Sequence, residues 1–124
     1  MQDYGKLQVW HRAHVHAISV QRVTRDFPRT GYTSLKSQLV RAAESIPTNI
    51  VEGCGAATPK EFGRFLDISI KSSREVEYHL LLARDYGILP YKDWRKLTAE
   101  TIEIRRMLCG LRKKVIVSLR SLQE

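Results

Sequence analysis

No apolar run in the 124 residues approaches the roughly 18 needed to cross a bilayer, and residues 1–14, MQDYGKLQVWHRAH, lack the long apolar core of a secretory signal. A cytoplasmic protein with no membrane role is expected. Cysteine is scarce. Cys54 and Cys109 match no CxxC spacing and supply no disulfide framework, so reduced thiols are expected. Only four prolines and seven glycines occur, mostly at a few breaks, which excludes a collagen-like or low-complexity chain. Strand-like alternation and internal repeats are missing as well, leaving helices to carry the fold.

Catalytic patterns are equally thin. His11 and His14 stand i, i+3 on one predicted helix, but no acidic or cysteine partner sits at a helical offset, and HExxH is absent. His16 and His79 read as surface or packing residues. Glu44, Glu52, Glu61, Asp67, Glu75 and Glu77 lack the Glu-x-x-His pairing of di-iron bundles. Gly53-Cys54-Gly55 ahead of Thr58-Pro59-Lys60 does not meet the Walker spacing and follows no strand. Cys54 has no histidine close by in sequence to serve as its base. A non-enzymatic protein without catalytic residues, metal or cofactor is therefore expected.

What is present is helical. Apolar residues make up 43% and charged residues 27%, a balance that buries a core in one domain of this size, 1–124. Four helices are predicted, at about 6–26, 34–52, 59–86 and 91–121, giving an all-α, antiparallel up-down four-helix bundle. In the first, Trp10, Ala13, Ala17, Val20, Thr24 and Phe27 recur three and four apart, and Phe27-Pro28-Arg29-Thr30-Gly31 ends it. The second buries Leu35, Leu39, Ala42, Ala43, Ile46 and Ile50, with Gly53 suited to the C′ position and Pro47 expected to kink or split it. The third starts at a Thr58-Pro59-x-Glu61 capping box, carries Phe62, Phe65, Leu66, Ser69, Ser73, Val76, Leu80 and Ala83, and closes at Gly87. The fourth is a long seam of Trp94, Leu97, Thr101, Ile104, Leu108, Leu111, Val115, Ser118 and Leu122. Ile102, Ile116, Val117, Leu81 and Leu82 lie off these stripes and form a second apolar face suited to self-association.

Charge is uneven. The formal net charge of +8 comes from residues 1–30 (+3) and 92–124 (+5), with the middle balanced. An antiparallel bundle makes those quarters neighbours. The candidate phosphate contacts are Arg22 and Arg25 on the first helix, with Arg95, Lys96, Arg105, Arg106, Arg112, Lys113, Lys114 and Arg120 on the fourth.

The run from Arg41 to Gly53, RAAESIPTNIVEG, alternates polar and small residues around a helix-interior proline. Arg41, Ser45 or Asn49 are placed to satisfy carbonyls that the proline frees, and Arg41, Glu44, Ser45, Glu52 and Glu75 to form a polar layer between helices. With Leu7-Gln8-Val9-Trp10, Phe27-Pro28, Gln38 and Glu61-Phe62-Gly63-Arg64-Phe65-Leu66, this run resembles the four-helix bundle family of 23S rRNA intervening-sequence proteins, over roughly residues 6–90. That family is similar in fold to the accessory variability protein of diversity-generating retroelements, a basic pentameric ring that binds nucleic acid and a reverse transcriptase. The resemblance implies a cytosolic homo-oligomer, a pentamer, with nucleic acid and, by analogy, a reverse transcriptase as partners. Its motif residues fall on Arg41, Ser45, Asn49, Glu52, Gly53, Phe62, Phe65, Leu66, Ser72 and Glu75. The chain departs from the family pattern at Gly31, Ala56, Ala57 and Lys71, which moves the weight of any nucleic-acid contact onto helices one and four. Non-specific binding through phosphates is the expected function, and a protein-interaction adaptor is the alternative.

Overall fold

The computed structural model describes residues 2–123, with side chains described for residues 2–117. Four helices form: α1 (Gln8–Thr24), α2 (Thr33–Cys54), α3 (Pro59–Asp85) and α4 (Tyr91–Gln123). Each packs on its neighbours in the order α1–α2–α3–α4–α1, and the backbones of the diagonal pairs do not approach closely among the described residues. This is the up-down four-helix bundle that the apolar periodicity predicts. Opposed polar pairs fix the antiparallel registers. His16 meets Thr101 between α1 and α4, Ser45 meets Ser72 between α2 and α3, and Arg105 meets Glu77 between α3 and α4.

The core stripes fall close to their predicted positions. All six residues assigned to α2 are buried, and Leu66, Leu80, Ile104 and Leu108 are fully enclosed between the helices. On α1 the stripe turns slightly. Val9 and His16 are buried while Trp10 and Ala17 are only partly so. Ser118 and Leu122 lie outside the residues whose side chains are described.

Local chemistry sets the helix ends. Thr58 accepts a hydrogen bond from the Glu61 amide at 3.2 Å and Pro59 opens α3, the N-cap half of the predicted capping box. At the other end Gly87 has φ of 78°, and Gly87 and Ile88 donate to Arg84 and Ala83 in a Schellman closure. Ahead of α1, a 3-10 turn at Tyr4–Lys6 is capped by Asp3 and tied to α2 by a bond from the Gln2 amide to the Cys54 carbonyl.

Of the two outcomes expected at Pro47, a kink or a split, the split does not occur: α2 runs unbroken to Cys54. Pro47 leaves the Ala43 carbonyl without its helical donor, and the next three carbonyls each take a side-chain donor: Thr48 to Glu44, Asn49 to Ser45, and Ser69 of α3 to Ile46, at 2.8, 2.9 and 2.9 Å. Gly53 is not at C′. It is helical and buried, and a Cβ there would stand 2.8 Å from the Phe62 ring and 3.2 Å from Phe65 Cβ. Its job is close approach of α2 to α3. Gly53→Ala is expected to cost about 1 kcal/mol, overpacking outweighing the gain in helix propensity. Urea unfolding checks this, and an unchanged midpoint would contradict it.

Candidate nucleic-acid interface

The two loops at one end of the bundle, between α1 and α2 and between α3 and α4, lie together, joined by Tyr32 and Tyr86 with ring centroids 5.8 Å apart. Antiparallel packing sends two helix N-termini and two C-termini to this end, so their dipoles largely cancel and side chains decide the field. Those side chains are strongly positive. Arg22 and Arg25 close α1, Arg29 and Lys36 flank the first loop, and Lys92, Arg95 and Lys96 open α4, all of them exposed. No ion pair among the described residues includes any of these seven. Among the described residues Asp26, Asp85 and Asp93 are the acids at this end, with Glu100 one turn along α4 from Lys96; Asp85 is already held by Arg84 at 2.9 Å and Glu100 by Arg12 at 2.5 Å. Arg84 also lies over the Trp94 ring at 4.3 Å.

The α1/α4 register explains how distant residues meet here. Arg12 pairs with Glu100 at 2.5 Å, and His16 faces Thr101. About one and a half turns further along α1, Arg22 comes level with Lys96, which shares its stripe of α4 with Glu100, Glu103 and Met107.

Other cations of the predicted set sit in different surroundings. Arg105 is tied to Glu77 at 2.6 Å and its side chain is only 15% exposed. Arg106 is 72% exposed but bonds Glu103 at 2.6 Å and holds that carboxyl below the usual carboxylate range. Arg112 bonds Asp67 across the α3/α4 seam. Lys113 and Lys114 are exposed at the opposite end. There, Asp3, Glu52, Glu61 and Asp67 offset much of the charge of Lys6, Lys60, Arg64, Arg112, Lys113 and Lys114. The Arg120 side chain lies outside the described residues. Arg29, Lys36 and Lys92, which charge runs along the sequence do not single out, join Arg22, Arg25, Arg95 and Lys96 because the folded loops bring them to one end.

The motif residues gather elsewhere, on the α2/α3 seam. Ser72 donates to Ser45 Oγ at 2.8 Å, and Asn49 donates to the same hydroxyl at 3.0 Å. Phe62 and Phe65 cover Gly53 and Leu66 is fully buried, while Arg41, Glu52 and Glu75 are exposed. Those three form no side-chain hydrogen bond among the described residues, so the expected polar layer is carried by serine and asparagine instead. Short side chains reach each other across close-packed helices without the rotamer entropy that a long Arg–Glu pair loses. Burial raises the pKa of the Cys54 thiol, which keeps it protonated and poorly nucleophilic.

No helix among the described residues is long and apolar enough to cross a membrane. The family model for the 23S rRNA-intervening sequence protein matches residues 5–110. No curated protein matches the chain in sequence. Among solved structures, a Bacteroides thetaiotaomicron protein of unknown function from the S23 ribosomal protein family superposes with a TM-score of 0.77 at 21% identity, covering 85% of this chain and 98% of that one. That likeness shows the shared fold. Fold, motif seam and family match agree, and the chain belongs to the 23S rRNA-intervening sequence protein family.

Proposed function

We propose that the protein is a non-enzymatic, self-associating bundle that binds nucleic acid through phosphates with little sequence preference. The observation that carries this reading is the set of exposed, unpaired cations at the end built by the α1–α2 and α3–α4 loops. Cations grouped without carboxylate partners repel one another and are relieved by a polyanion. Lys92 also stands in the first turn of α4, where the helix dipole disfavours positive charge.

Self-association is supported by apolar side chains left in solvent on three helices: Val15 and Ile18 on α1, Ile68 and Tyr78 on α3, Ile102 and Val117 on α4. The family resemblance supplies a ring of five, which would multiply the +8 of each protomer fivefold. Light scattering of purified protein tests the ring against a 14.3 kDa protomer.

Fluorescence anisotropy with short RNA and DNA, single-stranded and duplex, tests the binding itself on nuclease-treated protein. The expected result is tight binding at low salt whose logarithm falls linearly with the logarithm of salt concentration. No binding at low salt would reduce the positive end to a solubility feature and leave the adaptor reading, with a protein partner such as a reverse transcriptase.

A further inference from the structure

We propose, building on the phosphate-binding reading above, that the cleft between the start of α2 and the end of α3 takes one unpaired nucleobase from a single strand held at the basic end. The cleft measures about 320 Å³ and is lined by Tyr32, Ser34, Gln38, His79, Leu82 and Tyr86. That lies at the small end of the range for pockets that enclose small ligands. A single planar ring is a fitting occupant.

Three features of the lining point to a base. Tyr86 touches Tyr32 at a tilt of 43° yet remains 55% exposed, so an aromatic surface is held on one side and open on the other. Such surfaces stack unpaired bases whatever their identity. Behind the tyrosines, His79 is only 8% exposed, enters no side-chain hydrogen bond among the described residues, and keeps its Nδ1 buried without a partner. An imidazole with a buried, unpartnered nitrogen is uncommon in a folded protein, and its other nitrogen, Nε2, is neither buried nor hydrogen-bonded among the described residues, so it is the atom a polar ring edge can reach. Gln38 donates its amide nitrogen to Ser34 Oγ at 2.8 Å, which leaves its amide oxygen as an uncommitted acceptor.

Charge placement separates a base from other occupants. No charged residue lines the cleft, so its occupant is neutral, whereas Arg29 precedes the first lining residues and Lys36 follows Ser34 by two positions. A strand with its phosphates on those cations and one base turned inward satisfies both. In a duplex the ring faces are stacked on one another and out of reach of Tyr86.

The test compares wild type, Tyr86→Ala and Tyr86→Phe against a short fluorescein-labelled single strand and a duplex of the same length. A parallel NMR titration follows the His79 and Tyr86 ring signals with adenosine and uridine, which carry a base and no phosphate. Tyr86→Ala is expected to weaken single-strand binding about tenfold or more while duplex affinity stays within about twofold, and Tyr86→Phe restores it. Nucleosides are expected to shift both ring signals in the wild type. Equal losses for single strand and duplex, or no loss for either, would overturn the base site. So would ring signals that ignore millimolar nucleoside, and that result leaves phosphate binding standing. Should nucleosides shift the rings of a protein that binds neither oligonucleotide, the cleft holds and the phosphate reading falls. Thermal melts of each variant confirm folding, and the nucleoside titration needs no substitution.

Discussion

Between pH 7 and pH 4, His16 alone is expected to remove about 3 kcal/mol of stability from the bundle. The ring is 2% exposed, and its Nε2 lies 2.8 Å from Thr101 Oγ1. That hydroxyl donates to the Leu97 carbonyl at 2.7 Å, so it accepts from the imidazole, and Nε2 carries the proton. Nδ1 is then bare, buried and without a partner. A second proton there would place a full charge in the core with no acceptor for it. Burial accordingly pushes the His16 pKa down from 6.5 to about 4, with the Glu100 carboxylate pulling weakly the other way. The folded state thus binds the proton more weakly than the unfolded chain. The contribution is complete above the unfolded pKa of 6.5 and drains away as pH falls toward 4. Urea unfolding of wild type and His16→Gln across this range isolates the effect, since carboxylate titrations common to both cancel. Wild type should lose about 3 kcal/mol more than the variant on acidification. Parallel pH profiles would refute the assignment.

Neutralising Arg22, Arg25, Arg95 and Lys96 together as glutamine is expected to weaken duplex binding at low salt on the order of 10²- to 10³-fold. All four are exposed and unpaired, so none has a carboxylate to leave stranded, and the variant should fold like the wild type. A loss of affinity with the melting temperature near that of wild type distinguishes this outcome from partial unfolding. An affinity within about threefold of wild type would show that phosphates dock elsewhere.

How far the sequence can be read follows from which signals are local. Apolar spacing locates the α2 core from Leu35 to Ile50, where leucine and isoleucine mark one face, and misses its last turn, where Gly53 and Cys54 are buried. On α1 it favours Trp10 over Val9, adjacent apolar residues that period alone cannot rank, and leaves out His16, whose polarity hides its place in the stripe. The Thr58 cap and the Gly87 closure depend on neighbours within a few residues and are legible. Gly53 is misplaced by sequence alone because a glycine that permits positive φ and one that permits close approach look alike. Only the Phe62 ring against it decides.

The candidate interface is legible by half. Runs of charge mark α1 and α4, and the antiparallel topology makes them neighbours. What stays hidden is which carboxylate each arginine meets. Glu77 lies 28 residues before Arg105, and Asp67 lies 45 before Arg112. Tyr32 and Tyr86, contributed by different loops, carry no shared signal at all until the bundle closes.

The slope of log affinity against log salt for a short duplex, measured side by side for three proteins, tests the central claim most directly. These are the wild type, the glutamine variant at Arg22, Arg25, Arg95 and Lys96, and an opposite-end variant at Arg112, Lys113 and Lys114. The first variant should flatten the slope by up to about 3.6, close to 0.9 for each phosphate no longer neutralised, and the second should leave it near the wild-type value. Flattening confined to the second variant, or a wild-type slope near zero, would contradict phosphate binding at the end where the two interhelical loops meet.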